Sequence, residues 1–165
     1  MELAHKKILD LNSAIQKRNE IKNSNKTLTI TNGCFDLLHA GHVFYLNQAA
    51  KLGDNLWLFL NSDTSVQSLK GPHRPVQSEI HRAYVVASLE SIDAVVIFNN
   101  TRLDKEILSI KPDIYVKAGD YNLETMNQEE KKSLEEAGTE IRFLPFLEGF
   151  SSTHLMNKIS QANDV

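Results

Sequence analysis

Apolar positions along the chain follow two alternating rhythms. Short runs at Thr27-Leu28-Thr29-Ile30-Thr31, Leu56-Trp57-Leu58-Phe59-Leu60, 94–98, 114–117 and 141–144 are rich in β-branched or apolar residues. They predict five strands. Between them, Val43, Leu46 and Ala50, then Ile80, Tyr84 and Ala87, recur at spacings of three and four, as on one face of a helix. Further helices are predicted over 103–110, over 127–137 with Gly138 as the stop, and from Ser151 onward, while Ser62-Asp63 is a fitting N-cap for a short helix after the second strand. The stretch Lys70-Gly71-Pro72-His73-Arg74-Pro75 is broken twice by proline and reads as a cationic loop. Ahead of the first strand, Ile8, Leu11 and Ile15 form one apolar stripe over 2–20, which predicts a helix packed on the domain or on a partner.

Strands that are apolar on both faces belong to a parallel sheet covered on both sides, because a half-exposed strand would alternate. The expected fold is a single α/β domain, Rossmann-like and doubly wound, with five parallel strands in the order 3-2-1-4-5. A chain of 165 residues buries roughly 70% of its surface on folding, enough for a real core. With 18 basic against 21 acidic residues and no Lys or Arg run, a nucleic-acid backbone or an anionic membrane is an unfavourable main partner. Small anions remain suitable. The single cysteine, Cys34, precludes an intrachain disulfide, and the charged N-terminus lacks the apolar core of a signal peptide, so a soluble, cytoplasmic domain is expected.

In an open parallel sheet, ligands sit beyond the carboxyl ends of the strands. Here those ends carry residues 32–42, 61–63, 118–121 and 145–153. No two glycines stand two or five apart, which removes both the G-x-G-x-x-G fingerprint and the P-loop. After the first strand stands Thr31-Asn32-Gly33-Cys34-Phe35-Asp36-Leu37-Leu38-His39-Ala40-Gly41-His42. Gly33 permits close backbone approach to a ligand, and His39 and His42 at a helix start can face one phosphate together with the helix amides. Taken alone, the two histidines could equally cap the helix or pack in the core. The spacing of Cys34, His39 and His42 matches no strong zinc pattern, and a lone cysteine is more often a small hydrophobe than a nucleophile.

The His-x-Gly-His of this segment resembles the signature of the cytidylyltransferase-like nucleotidyltransferases. Asn61-Ser62-Asp63, Leu69-Lys70-Gly71-Pro72 with Arg74-Pro75-Val76, Val85-Val86-Ala87-Ser88-Leu89, Lys111-Pro112-Asp113, Val116-Lys117-Ala118-Gly119-Asp120-Tyr121 and Glu148-Gly149-Phe150-Ser151-Ser152-Thr153 are similar to the blocks of the D-glycero-D-manno-heptose 1-phosphate adenylyltransferases. That resemblance covers about 26–159. It implies transfer of AMP from ATP to the sugar 1-phosphate, giving ADP-heptose for lipopolysaccharide and pyrophosphate. Two departures stand out: the usual Gly-Gly-Asp-Tyr reads Ala118-Gly119-Asp120-Tyr121, and Phe146-Leu147 occupies the place where the polyol-phosphate cytidylyltransferases carry Arg-Thr. The second weighs toward ATP. A polyol-phosphate cytidylyltransferase, or a catalytically silent nucleotide-binding module, is the alternative.

The resemblance also implies roles. His39, His42 and Lys70 would stabilise charge at the reacting phosphate. Thr31, Asn32, Gly33, Cys34, Phe35, Lys117, Gly119, Glu148, Ser151, Ser152 and Thr153 would bind the nucleotide. Asp36, Asp63, Asp120 and Tyr121, with Arg74 or Arg82, would face the sugar phosphate. No residue is assigned to a metal; Mg²⁺ would ride on the phosphates. Residues 1–25 are expected as an N-terminal helix and linker, 26–160 as the nucleotidyltransferase domain and 161–165 as a tail. Relatives in which this domain follows a sugar kinase imply a separate kinase here, and family resemblance makes a homodimer an expectation. For Ala118, alanine predicts a negative φ despite the glycine usual in relatives.

Overall fold

In the computed structural model, which describes residues 5–119, 122–145, 147 and 149–162, six parallel strands form one sheet. They are β1 (Ile8–Leu9), β2 (Leu28–Gly33), β3 (Asn55–Asn61), β4 (Ala94–Phe98), β5 (Ile114–Ala118) and β6 (Glu140–Leu144), in the order β1-β4-β3-β2-β5-β6. The five predicted strands keep their predicted order. The sixth, β1, corrects the strand count: Ile8 and Leu9 pair with Val95 and Val96 at the edge of the sheet. Helix α1 (Leu11–Asn23) therefore starts later than expected, at Asp10, whose carboxylate accepts the Ser13 amide.

Helices cover both faces, as two-sided burial requires. Against one face lie α1, α5 (Asp104–Ile110) and α6 (Gln128–Ala137), enclosing Leu28, Ile30, Trp57, Phe59 and Tyr115. Against the other lie α2 (Ala40–Ala49) and α4 (Glu79–Ala87), enclosing Leu56, Leu58, Leu60, Val95 and Val116. Arg18 of α1 is buried; its guanidinium donates to both Asp113 carboxylate oxygens, at 2.9 and 3.0 Å, and to the Ile110 and Lys111 carbonyls. The same carboxylate accepts the Leu28 amide at 2.7 Å. Residues ahead of β2 are thus tied to the sheet by a charged pair as well as by apolar contact.

Register creates the opening for a site. Strands β2 and β3 stay paired through Gly33↔Leu60, and β5 and β6 through Ala118↔Leu144, whereas β2 and β5 pair only at Thr29↔Ile114 and Ile30↔Tyr115. Beyond Ile30 the two central strands part. This is the point where the chain's progress across the sheet reverses direction, the usual place for a ligand crevice.

Candidate active site

The parting of β2 and β5 opens into a cavity of about 460 Å³. Of the residues expected there, Asn32, Gly33, Cys34, Phe35 and Asp36 line it from the first loop, His42 from α2, and Lys70 from the end of α3 (Asp63–Lys70). Lys117 of β5 and Ser152 at the start of α7 (Ser152–Ala162) line it too, whereas Thr31, His39, Asp63, Arg74, Arg82, Gly119, Ser151 and Thr153 do not. Asp120, Tyr121 and Glu148 lie outside the described residues.

The histidine pair has a definite chemistry. His39 caps α2, its Nδ1 accepting the His42 amide at 3.3 Å, and its ring stacks on that of His42 with centroids 3.8 Å apart. A nitrogen that accepts a hydrogen bond carries no proton, so neutral His39 is the Nε2–H tautomer. His42 Nδ1 is buried with no partner among the described residues; since burying an unpaired N–H is costly, its proton too belongs on Nε2. Burial, with the charges of His39 and Lys70 adding to it, pushes the His42 imidazole down to about 4. Burial also lowers His39. Both rings are therefore neutral donors at pH 7.

The glycines of the motif make this packing possible. A Cβ on Gly41 would stand 2.9 Å from Phe150 Cβ and 3.1 Å from His39 Nδ1. On Gly33 it would stand 2.8 Å from the Phe35 ring, which folds back at φ 45° and lies 4.7 Å from the His42 ring. A non-glycine residue at positive φ is strained and is retained where its surroundings demand it. Ala118, one of the two departures from the family pattern, ends β5 without a positive φ, as expected, and Gly119 takes the turn at φ 104°.

Several expected ligand-binding side chains are instead spent on holding loops. Arg82, 1% exposed, donates to the Gln77 and Cys34 carbonyls and to Asp63; it does not reach the cavity as a free cation. Thr31 is buried with its hydroxyl 2.6 Å from Tyr45 Oη, which donates to the Val116 carbonyl. Asp36 accepts the Val76 and Gln77 amides and pairs with Arg74 at 3.1 Å, while Arg74 also contacts Met156 of α7. Asp63 is held by Arg82. Ser151 caps α7 by accepting the His154 amide, Ser152 donates to the Leu37 carbonyl, and Thr153 is exposed. Burial raises the Cys34 thiol, against the pull of the Lys70 and Arg82 charges, so it is a poor nucleophile.

Asn61, which the sequence placed only at a ligand-facing strand end, also lines the cavity, and sequence reasoning missed Asn127, Glu130, Thr101 and Arg102, which line it too. The last two come from the loop after β4, whose residues match no motif. Glu130 is buried on α6 and accepts Lys117 Nζ and, at 3.1 Å, Tyr115 Oη. Arg102 pairs with Asp104 and Glu129 at the rim.

The chain is similar to known proteins along most of its length. A bifunctional protein HldE of Syntrophotalea carbinolica is 46% identical over 134 residues, covering 81% of this chain and 27% of that protein. Those of Campylobacter fetus and Helicobacter pylori are 42% and 40% identical, over 93% and 97% of this chain and 31% and 33% of theirs. The chain thus spans about a third or less of these curated relatives. Two solved structures share the fold: a lipopolysaccharide core biosynthesis protein of Thermoplasma volcanium, with TM-score 0.61, 24% identity and coverage of 74% of this chain and 97% of that one, and a pantoate-beta-alanine ligase of Francisella tularensis, with TM-score 0.56, 13% identity and coverage of 93% and 77%. Residues 30–160, which carry the histidine pair, the parted strands and the start of α7, match the family model described as cytidylyltransferase-like, and the chain belongs to that family.

Proposed function

We propose that the chain is an adenylyltransferase that moves AMP from ATP to D-glycero-D-manno-heptose 1-phosphate. The observation that carries this reading is the stacked His39–His42 pair at the start of α2, with His42 lining a cavity that Lys70 and Ser152 also line. A phosphate monoester loses its second proton near pH 6, so the acceptor arrives as an anion and needs no strong base. One of its phosphate oxygens bonds to the α-phosphorus of ATP; the bond from that phosphorus to the bridging oxygen breaks, and pyrophosphate leaves with the electron pair. His39, His42 and Lys70 stabilise the charge spread over the moving oxygens, the kind of fixed donor that dominates such catalysis. The amides at the start of α7 would hold the β- and γ-phosphates, since the Ser152 hydroxyl donates to the Leu37 carbonyl.

Magnesium enters as part of the nucleotide substrate, ligated by phosphate oxygens and water. Among the described residues, the two carboxylates lining the cavity are already engaged, Asp36 by the 74–77 loop and Glu130 by Tyr115 and Lys117, so neither is assigned to it. Asp120 and Tyr121 are proposed to face the sugar phosphate and Glu148 the nucleotide, on the motif resemblance alone. No helix among the described residues is long and apolar enough to cross a membrane, and a cytoplasmic site of action is part of the proposal. The test is a pyrophosphate-release screen of ATP, CTP, GTP and UTP against heptose 1-phosphate, hexose 1-phosphates and glycerol 3-phosphate. ATP with heptose 1-phosphate should lead; release only with CTP and glycerol 3-phosphate would replace this reading with the polyol-phosphate one.

A further inference from the structure

We infer that Glu130 is a positioning residue for the nucleotide, holding Lys117 directly and Asn32 through Tyr115. The inference rests on the proposed function, in which Lys117 and Asn32 bind ATP.

Glu130 is only 3% exposed, yet it lines the cavity. An ionised carboxyl is costly to bury unless it is paired and hydrogen-bonded. Here both conditions are met: Lys117 Nζ donates to Oε2 at 2.5 Å, and Tyr115 Oη donates to Oε1 at 3.1 Å. Glu130 is also the third residue of α6, where the helix dipole favours negative charge, and Asn127 Oδ1 accepts its amide at 3.1 Å. The carboxylate is therefore set by its own helix, and the lysine ammonium is the group that it places.

The residues it serves come from two strands that have ceased to pair. Backbone pairing of β2 with β5 is confined to Thr29↔Ile114 and Ile30↔Tyr115, and Asn32 and Lys117 both lie beyond it. Side chains take over there. Tyr115 and Lys117, two apart on β5, share one face of the strand, with Lys117 Nζ 5.9 Å from the centre of the Tyr115 ring. Tyr115 Oη donates to Asn32 Oδ1 at 2.8 Å as well as reaching Glu130. The chain Asn32–Tyr115–Glu130–Lys117 thus spans the opening from β2 to β5 by way of α6, and three of its four members line the cavity. A lysine stem already ordered in this way costs a ligand less conformational entropy on binding, an advantage of about 3- to 10-fold for one long side chain.

Glu130→Gln keeps the shape of the side chain and removes its charge. It should raise KM for ATP about 3- to 10-fold, with kcat and KM for heptose 1-phosphate changed less than about twofold. Lys117→Met should raise KM for ATP at least as much, and in that background Glu130→Gln should add less than about twofold, because residues that act through one group are not additive. A pair that served packing alone would shift the melting temperature and leave both KM values in place. An unchanged KM for ATP in folded Glu130→Gln, equal rises in both KM values, or rises that multiply in the double variant overturn the inference. Should Glu130→Gln not fold, Tyr115→Phe decides: it cuts the link to Asn32 without unpairing a charge and should raise KM for ATP about threefold, whereas an unchanged value overturns the inference. Failure of the wild type to use ATP with any sugar 1-phosphate instead overturns the proposed function beneath it.

Discussion

His42 stays neutral because its surroundings withhold a partner for a second proton. The imidazole sits at about 4 in the folded chain against 6.5 ordinarily, with burial the main cause. The unfolded chain therefore binds the proton first as pH drops. Stability contributed by neutral His42 is fully present above about pH 6.5 and is lost as pH falls toward 4; at about 1.4 kcal/mol per pH unit, the whole effect is below about 4 kcal/mol. Thermal melting at pH 7 and pH 5 should accordingly show a drop that His42→Asn reduces; an equal drop in both proteins would place the proton elsewhere. His39→Ala and His42→Ala should each lower kcat by about 10²-fold or more while circular dichroism stays native, the size of a lost transition-state donor. For Cys34→Ser, whose thiol burial holds in the protonated form, turnover should fall by less than about threefold; inactivation of a folded variant would revive covalent catalysis. At this scale the His-x-Gly-His motif was legible because its spacing is local. The duties of Arg82 and Thr31 were not, because their partners Cys34, Gln77 and Tyr45 meet them only through the fold.

Two elements, β2 and β5, make the site by separating after Ile30, and the loops around the opening are fastened by buried charge. Arg82 links the first loop, the 74–77 loop and α3. Arg82→Gln should therefore lower kcat/KM although Arg82 does not line the cavity, and a native melting curve with unchanged kinetics would contradict that role. On the far side of the molecule Arg18 fastens α1 to Asp113. Breaking a buried pair leaves the partner uncompensated, and because Asp113 is partly exposed the cost of Arg18→Ala should be about 2 to 3 kcal/mol in urea unfolding, with activity per folded molecule unchanged. The five longer strands were legible as apolar runs. Strand β1 was not: two residues give no period, and Ile8 falls in helical register with Leu11 and Ile15, so pattern alone continues the helix backwards across Asp10.

At the scale of the whole molecule, the doubly wound sheet opens a crevice where β2 and β5 part. On the proposed function, phosphate contacts would treat all nucleoside triphosphates alike, so base choice is expected to fall to residues around 117–119 and 144–149, where a buried donor left unpaired by a wrong base costs about 1 to 3 kcal/mol. Phe146-Leu147 stands there in place of the Arg-Thr of the cytidylyl branch. Lys70→Ala should lower kcat/KM with either nucleotide while leaving the ratio between them nearly unchanged. The direct test of the account is that ratio itself: kcat/KM for ATP and for CTP, each with saturating heptose 1-phosphate and with the nucleotide-sugar product identified by mass. The account predicts ADP-heptose and a preference for ATP of at least about tenfold, equivalent to about 1.4 kcal/mol. A preference for CTP, or no nucleotide-sugar with either nucleotide, would contradict it.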